Sequence, residues 1–139
     1  MKPTLKQKTT MTQKQKDLLL KDLCTRLPYG VKVQLSYNSY RPSQIPLKLL
    51  SINTNGVTWV TGDKGYPFEV DWSNCKPYLF PMSSMTERQN IEYLSTCRGG
   101  NASVPTLASF EWCDKNHFDY RGLIPMGLAI DAIGLDIYL

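Results

Sequence analysis

The chain has 139 residues, 42% of them hydrophobic and 20% charged, enough apolar material for one folded domain and too much for wholesale disorder. Its formal net charge of +4 sits at one end: Lys2, Lys6, Lys8, Lys14 and Lys16 precede the first acid, Asp17, and the other eleven Lys and Arg face twelve Asp and Glu. A basic tail on a near-neutral body supports only weak, salt-sensitive contact with nucleic acid, so a protein is the expected partner.

Residues 1–11 are polar and Lys-rich without periodicity, and read as a disordered basic arm. A single domain is expected over 12–139. Thr12-x-x-Gln15 is a capping box that opens a helix. Leu19, Leu20, Leu23, Cys24 and Leu27 form an apolar stripe on it. Asp17 with Lys21, and Asp22 with Arg26, read as i,i+4 pairs on the wet side, each worth a few tenths of a kcal/mol. Pro28 and Gly30 end the helix.

Five short strands are then predicted, at 31–37, 47–54, 57–61, 66–70 and 76–80. Val31, Val33 and Leu35 alternate with polar residues, as in a half-buried strand. Asn55-Gly56 between two apolar runs is a hairpin turn of the kind whose twist matches its strands. The 62–65 stretch, Gly-Asp-Lys-Gly, makes a second tight turn, and residues 71–75 a short one before the last strand. A long first loop, two hairpins and a one-turn helix before the fifth strand resemble the order of an SH3-like barrel over residues 29–82. The fold class is thus α+β: a small antiparallel five-stranded barrel flanked by about three helices. An open antiparallel sheet covered by helices is the competing arrangement.

The helical and extended C-terminal part covers 84–139. Ser84-x-x-Glu87 and Thr86-x-x-Gln89 are alternative caps for a helix carrying Ile91, Leu94 and Cys97 on one side, ended by Gly99-Gly100. A flexible link at 99–103 leads to a helix at about 106–116 with Leu107, Phe110 and Cys113 on one face. The apolar stretch 123–139 is expected to cover the core as a strand or extended arm. Pro125, Asp131 and Asp136 interrupt it, which excludes a membrane span. Cys24, Cys75, Cys97 and Cys113 contain no C-x-x-C, and one histidine leaves a zinc site without ligand spacing, so no metal or other cofactor is expected. The opening residues lack an apolar export signal. The cysteines therefore read as reduced, mostly in the core, and the compartment as cytoplasmic.

Two sets of residues carry functional hints. Asp114, His117, Asp119, Tyr120 and Arg121 form the one cluster with chemical potential: a general base, a carboxylate to orient it and a cation for an anion. With no nucleophile motif nearby, the same residues also read as a structural brace between the third helix and the apolar tail, and no catalytic residue is assigned. Aromatics supply the other set. Tyr37, Tyr40 and Arg41 in the first long loop are expected to stay exposed beside a groove for an extended peptide or single-stranded nucleic acid, whereas Trp59, Phe68 and Trp72 read as barrel core.

The runs KDLLLKDLCTRLPYGVKV (16–33), CKPYLFPMSSMT (75–86) and NHFDYRGLIPMGLAIDA (116–132) are similar to small uncharacterised proteins encoded by phages, prophages and mobile elements of gut Bacteroidales. Such proteins begin near Met11, so residues 1–10 read as an upstream extension, and the tail IGLDIYL departs from theirs. The resemblance implies a cytoplasmic accessory protein and no mechanism. The expected function is a non-enzymatic interaction module that binds a host or phage protein. The alternatives are a small enzyme or ligand-sequestering protein built on residues 117–121, and a weak nucleic-acid binder.

Overall fold

Thr12 starts the first helix as its spacing predicts. Its hydroxyl accepts from the Gln15 amide at 3.1 Å, and the Gln15 side chain accepts from the Thr12 amide at 3.0 Å. Two donors that the helix cannot satisfy internally are thereby paired. In this computed structural model, which describes residues 11–35, 46–53, 55, 57–62, 65–99 and 104–138, α1 spans Gln13–Arg26 and runs into a 3-10 turn at Leu27–Tyr29. Gly30 closes that turn at φ 72°, a left-handed backbone that glycine adopts at little cost. Of the expected disordered arm 1–11, Met11 is partly buried against the core; residues 1–10, the loop bearing Tyr37, Tyr40 and Arg41, the turn residues Gly56, Asp63 and Lys64, and link residues 100–103 lie outside the described residues.

Among the described residues seven strands follow: β1 (Lys32–Leu35), β2 (Leu47–Ile52), β3 (Val57–Thr61), β4 (Phe68–Asp71), β5 (Cys75–Pro81), β6 (Phe118–Asp119) and β7 (Ile130–Asp131). The predicted hairpin forms, with Leu49 opposite Val60 and Ile52 opposite Thr58. Asn53 holds its turn, the side-chain oxygen accepting from the amides of Asn55 and Val57, each at 3.0 Å. A bulge between Leu49 and Ser51 interrupts the ladder at Leu50, which is exposed.

The sheet runs β4-β3-β2-β1-β5-β6, with β7 also on β5. It is open and mixed, with seven strands, rather than a closed antiparallel barrel of five. β5 is its hub. Cys75, Lys76 and Pro77 pair antiparallel with β1, Tyr78 and Leu79 pair parallel with β7, and Phe80 and Pro81 pair parallel with β6. Two-residue strands have no periodicity to read, so β6 and β7 were invisible as pattern.

Helices α2 (Glu87–Ser95) and α3 (Leu107–Asn116) complete the α+β fold. Of the two possible caps, Thr86 is used: its hydroxyl accepts from the Gln89 amide at 3.1 Å. Ser84 instead ends a 3-10 turn and donates to the Pro81 carbonyl at 2.7 Å.

The core joins Leu19 and Leu23 of α1 to Val31, Val33, Leu47, Leu49, Val60 and Leu79 of the sheet, with Leu123 and Leu128 of the tail closing over it. Each buried leucine contributes about 2 kcal/mol relative to exposure. On the other face of β5, Tyr78 packs with Ala132 and Ile137. The tail thus covers the core, as its composition predicts.

Three expectations are corrected. α1 buries Leu19, Asp22, Leu23 and Arg26, so Asp22 and Arg26 lie inside the protein and not on its wet side, while Cys24 is exposed. Trp59 and Phe68 are 40% and 43% exposed, leaving only Trp72 of the three packed against the core. The apolar residues Ile91, Leu94 and Leu107 of α2 and α3 face outward. These helices join instead through Tyr93 against Trp112 and through the hydroxyls of Thr106 and Ser109 on the Thr96 carbonyl.

Candidate functional site

Residues 117–121 follow directly from the end of α3, and each is committed to a different structural task. His117 is the helix terminator, at φ 64° in the left-handed region. Its carbonyl accepts from the Phe80 amide at 2.8 Å, seating β6 against β5. Its ring lies flat on Tyr138, with centroids 3.6 Å apart and planes 8° off parallel. The ring Nδ1 is buried and has no hydrogen-bond partner among the described residues. Burial first, and the Arg26 charge second, push the imidazole pKa down to about 4.

Asp119 is buried and turns its carboxylate onto the backbone ahead of it. Its two oxygens accept from the amides of Leu123 at 2.8 Å and Ile124 at 2.9 Å. The expected pairing of Asp119 with Arg121 does not occur. Arg121 reaches Asp22 on α1 at 2.7 Å, and Asp22 also receives Arg26 at 2.8 Å. Arg26, fully buried, further donates to the carbonyls of Phe118 at 2.6 Å and Cys113 at 3.4 Å.

Tyr120 completes the cluster. Its hydroxyl donates to Asp114 at 3.0 Å, its ring meets Phe110 with centroids 5.0 Å apart, and the Arg121 guanidinium lies over it at 4.6 Å. Burial raises the phenol to about 12 and also raises Asp114, against the lowering charges of Arg26 and Arg121. Two arginines and two aspartates thus interlock with Thr25, which donates to Asp114 at 3.3 Å. Among the described residues, no group of three or more His, Cys, Asp or Glu is placed to hold a metal ion.

His117, Asp119, Tyr120 and Arg121 therefore do not converge on a shared opening. His117 faces Tyr138, Asp119 the backbone, and Tyr120 and Arg121 the α1 side. A general base works best with a pKa near the operating pH and reach to its proton. His117 has a pKa far below neutrality and a ring face covered by Tyr138.

Sequence reasoning included Asp114 in the cluster but missed the partners Asp22, Thr25 and Arg26, although one signal was present. Relative to Leu19, Asp22 is at i+3 and Arg26 at i+7, on the helix face that Leu19 and Leu23 define. Charge alone assigned them to solvent.

The aromatic set divides differently. Tyr78 is in the core, Trp72 is partly buried, and Tyr37, Tyr40 and Arg41 lie outside the described residues. Tyr66, Trp59 and Phe68 remain exposed, Tyr66 at 91%. Trp59 and Phe68 lie on opposite faces of the β3–β4 ladder, Trp59 opposite Glu69 and Phe68 opposite Val60. β4 is the terminal strand at its end of the sheet among the described residues. Among the described residues, no helix is long and apolar enough to cross a membrane. Comparison with known protein families, curated proteins and solved structures finds no match to this chain.

Proposed function

We propose that this protein is a non-enzymatic interaction module that takes an extended segment of a partner protein along β4. The observation that carries this reading is the β4 edge itself: a terminal strand with exposed Tyr66, Phe68 and Trp59 beside it. An edge strand presents unpaired amides and carbonyls, and a strand added there gains main-chain hydrogen bonds while alternate side chains are read. The committed state of residues 117–121 supports a binding role over a catalytic one. The order β4-β3-β2-β1-β5, with a 3-10 turn at Trp72–Asn74 before β5, also supports an SH3-like relationship for these five strands. A host or phage protein as partner agrees with the resemblance to mobile-element proteins.

Selection of a displayed random-peptide library on the full chain tests the reading. Enriched peptides are expected to lose binding when N-methylated at alternate positions, because only every second amide of an added strand points at β4. Failure to enrich any peptide, or sensitivity without that alternation, overturns it.

A further inference from the structure

The chemistry of β4 says more about what is added to it. We infer that the extended segment taken at this edge is basic, with a Lys or Arg placed opposite Glu69 and apolar residues on either side of it. This rests on the strand-addition reading above.

Four observations carry it. Glu69 lies on the outer face of the sheet, directly opposite Trp59, while its neighbours Phe68 and Val70 share the inner face with Val60 and Thr58. A strand added to β4 places one residue opposite Glu69 on that outer face and the flanking two opposite Phe68 and Val70. Glu69 is exposed and has no ion-pair partner among the described residues. The strand carries two acids, Glu69 and Asp71, and no base; the Asp71 carboxylate accepts from Ser73, from its amide at 2.9 Å and its hydroxyl at 2.8 Å, and has no ion-pair partner among the described residues. A long cationic side chain opposite Glu69 pairs with its carboxylate and extends toward the exposed Trp59 ring, a favourable surface for a cation.

The same arrangement disfavours other occupants. In a second copy paired antiparallel, aligning Val70 with Val70 puts Glu69 against Asp71. Aligning Val70 with Phe68 puts Glu69 against Glu69. Like charges directly opposite each other are destabilising. A polyanion meets the same two acids.

The test uses fluorescence anisotropy with the full chain and two labelled synthetic peptides, one alternating valine with lysine and the other valine with glutamate. The lysine peptide is expected to bind roughly tenfold tighter, from lysines opposite both Glu69 and Asp71 acting together. Glu69→Lys should reverse the preference while leaving the melting curve in place, since Glu69 is exposed and unpaired. Equal binding of both peptides, unchanged by Glu69→Lys, overturns the charge inference and leaves strand addition standing. No binding of either peptide overturns both. A dimer in light scattering that Glu69→Lys disrupts shows a second copy to be the occupant and also overturns the inference.

Discussion

Arg121 and Asp22 are 99 residues apart in the chain and 2.7 Å apart in space. This pair ties the segment after α3 to the inner face of α1, and Arg26 shares the same carboxylate from the other side. Buried ion pairs contribute little net stability, yet removing one partner leaves an uncompensated charge in the interior. Arg26→Ala is therefore expected to cost about 3–5 kcal/mol in a urea melt. Arg121→Ala should cost less, because its side chain is 12% exposed while that of Arg26 is 0% exposed. Equal, near-zero losses for both would show that the network holds nothing.

Asp119→Ala removes the acceptor for two amides at once. Leu123 is fully buried, so its amide has no water to turn to. The expected loss is about 2 kcal/mol. Asp119→Asn keeps one carbonyl acceptor and should fall between the variant and the parent in the same denaturant melt.

His117 makes stability depend on pH with a defined sign. Its folded pKa, about 4, is below the unfolded value of 6.5, so the unfolded chain binds more protons between them. The stabilisation is complete above pH 6.5 and is lost as pH falls toward 4. Asp114 acts in the opposite direction: its folded pKa is raised above 3.8, so its protonation favours the fold as pH falls. His117→Asn, whose side chain tolerates positive φ, should flatten the decline between pH 6.5 and 4 in melts across that range. A decline of unchanged steepness would assign it to other groups.

Tyr138 holds the tail by its hydroxyl as well as its ring. The hydroxyl accepts from the Lys32 amide at 2.9 Å and donates to the Tyr78 carbonyl at 2.8 Å. Tyr138→Phe keeps the stack on His117 and leaves those backbone groups unpaired, at a cost of about 1–2 kcal/mol. A melt unchanged by this substitution would show that the tail is held by packing alone.

Thr86→Ala should destabilise by about 1 kcal/mol as a lost helix cap. Ser84→Ala should stay within roughly 0.5 kcal/mol, as an ordinary substitution outside the cap. Thermal melts of the two variants distinguish the frames that the sequence left open.

Local signals in this chain determined local structure. Thr12 and Gln15, Pro28 and Gly30, and the alternation of Val31, Val33 and Leu35 specify a helix start, its stop and a strand from interactions within a few residues. The β2–β3 hairpin belongs with them, because Asn53 and Asn55 act on their own turn. Tertiary structure decided which faces are covered. A charged pair four residues apart reads the same on paper whether it faces water or the core. Asp22 and Arg26 are buried because Arg121 and the Phe118 carbonyl, from the far end of the chain, complete their hydrogen bonds, and Asp114 adds a second carboxylate 3.9 Å from Arg26. Trp59 and Phe68 are exposed for the opposite reason. Aromatic content favours a core, but β4 ends an open sheet and no further strand among the described residues covers it. Whether a side chain is buried depends on partners distant in sequence, and no spacing within one element encodes them.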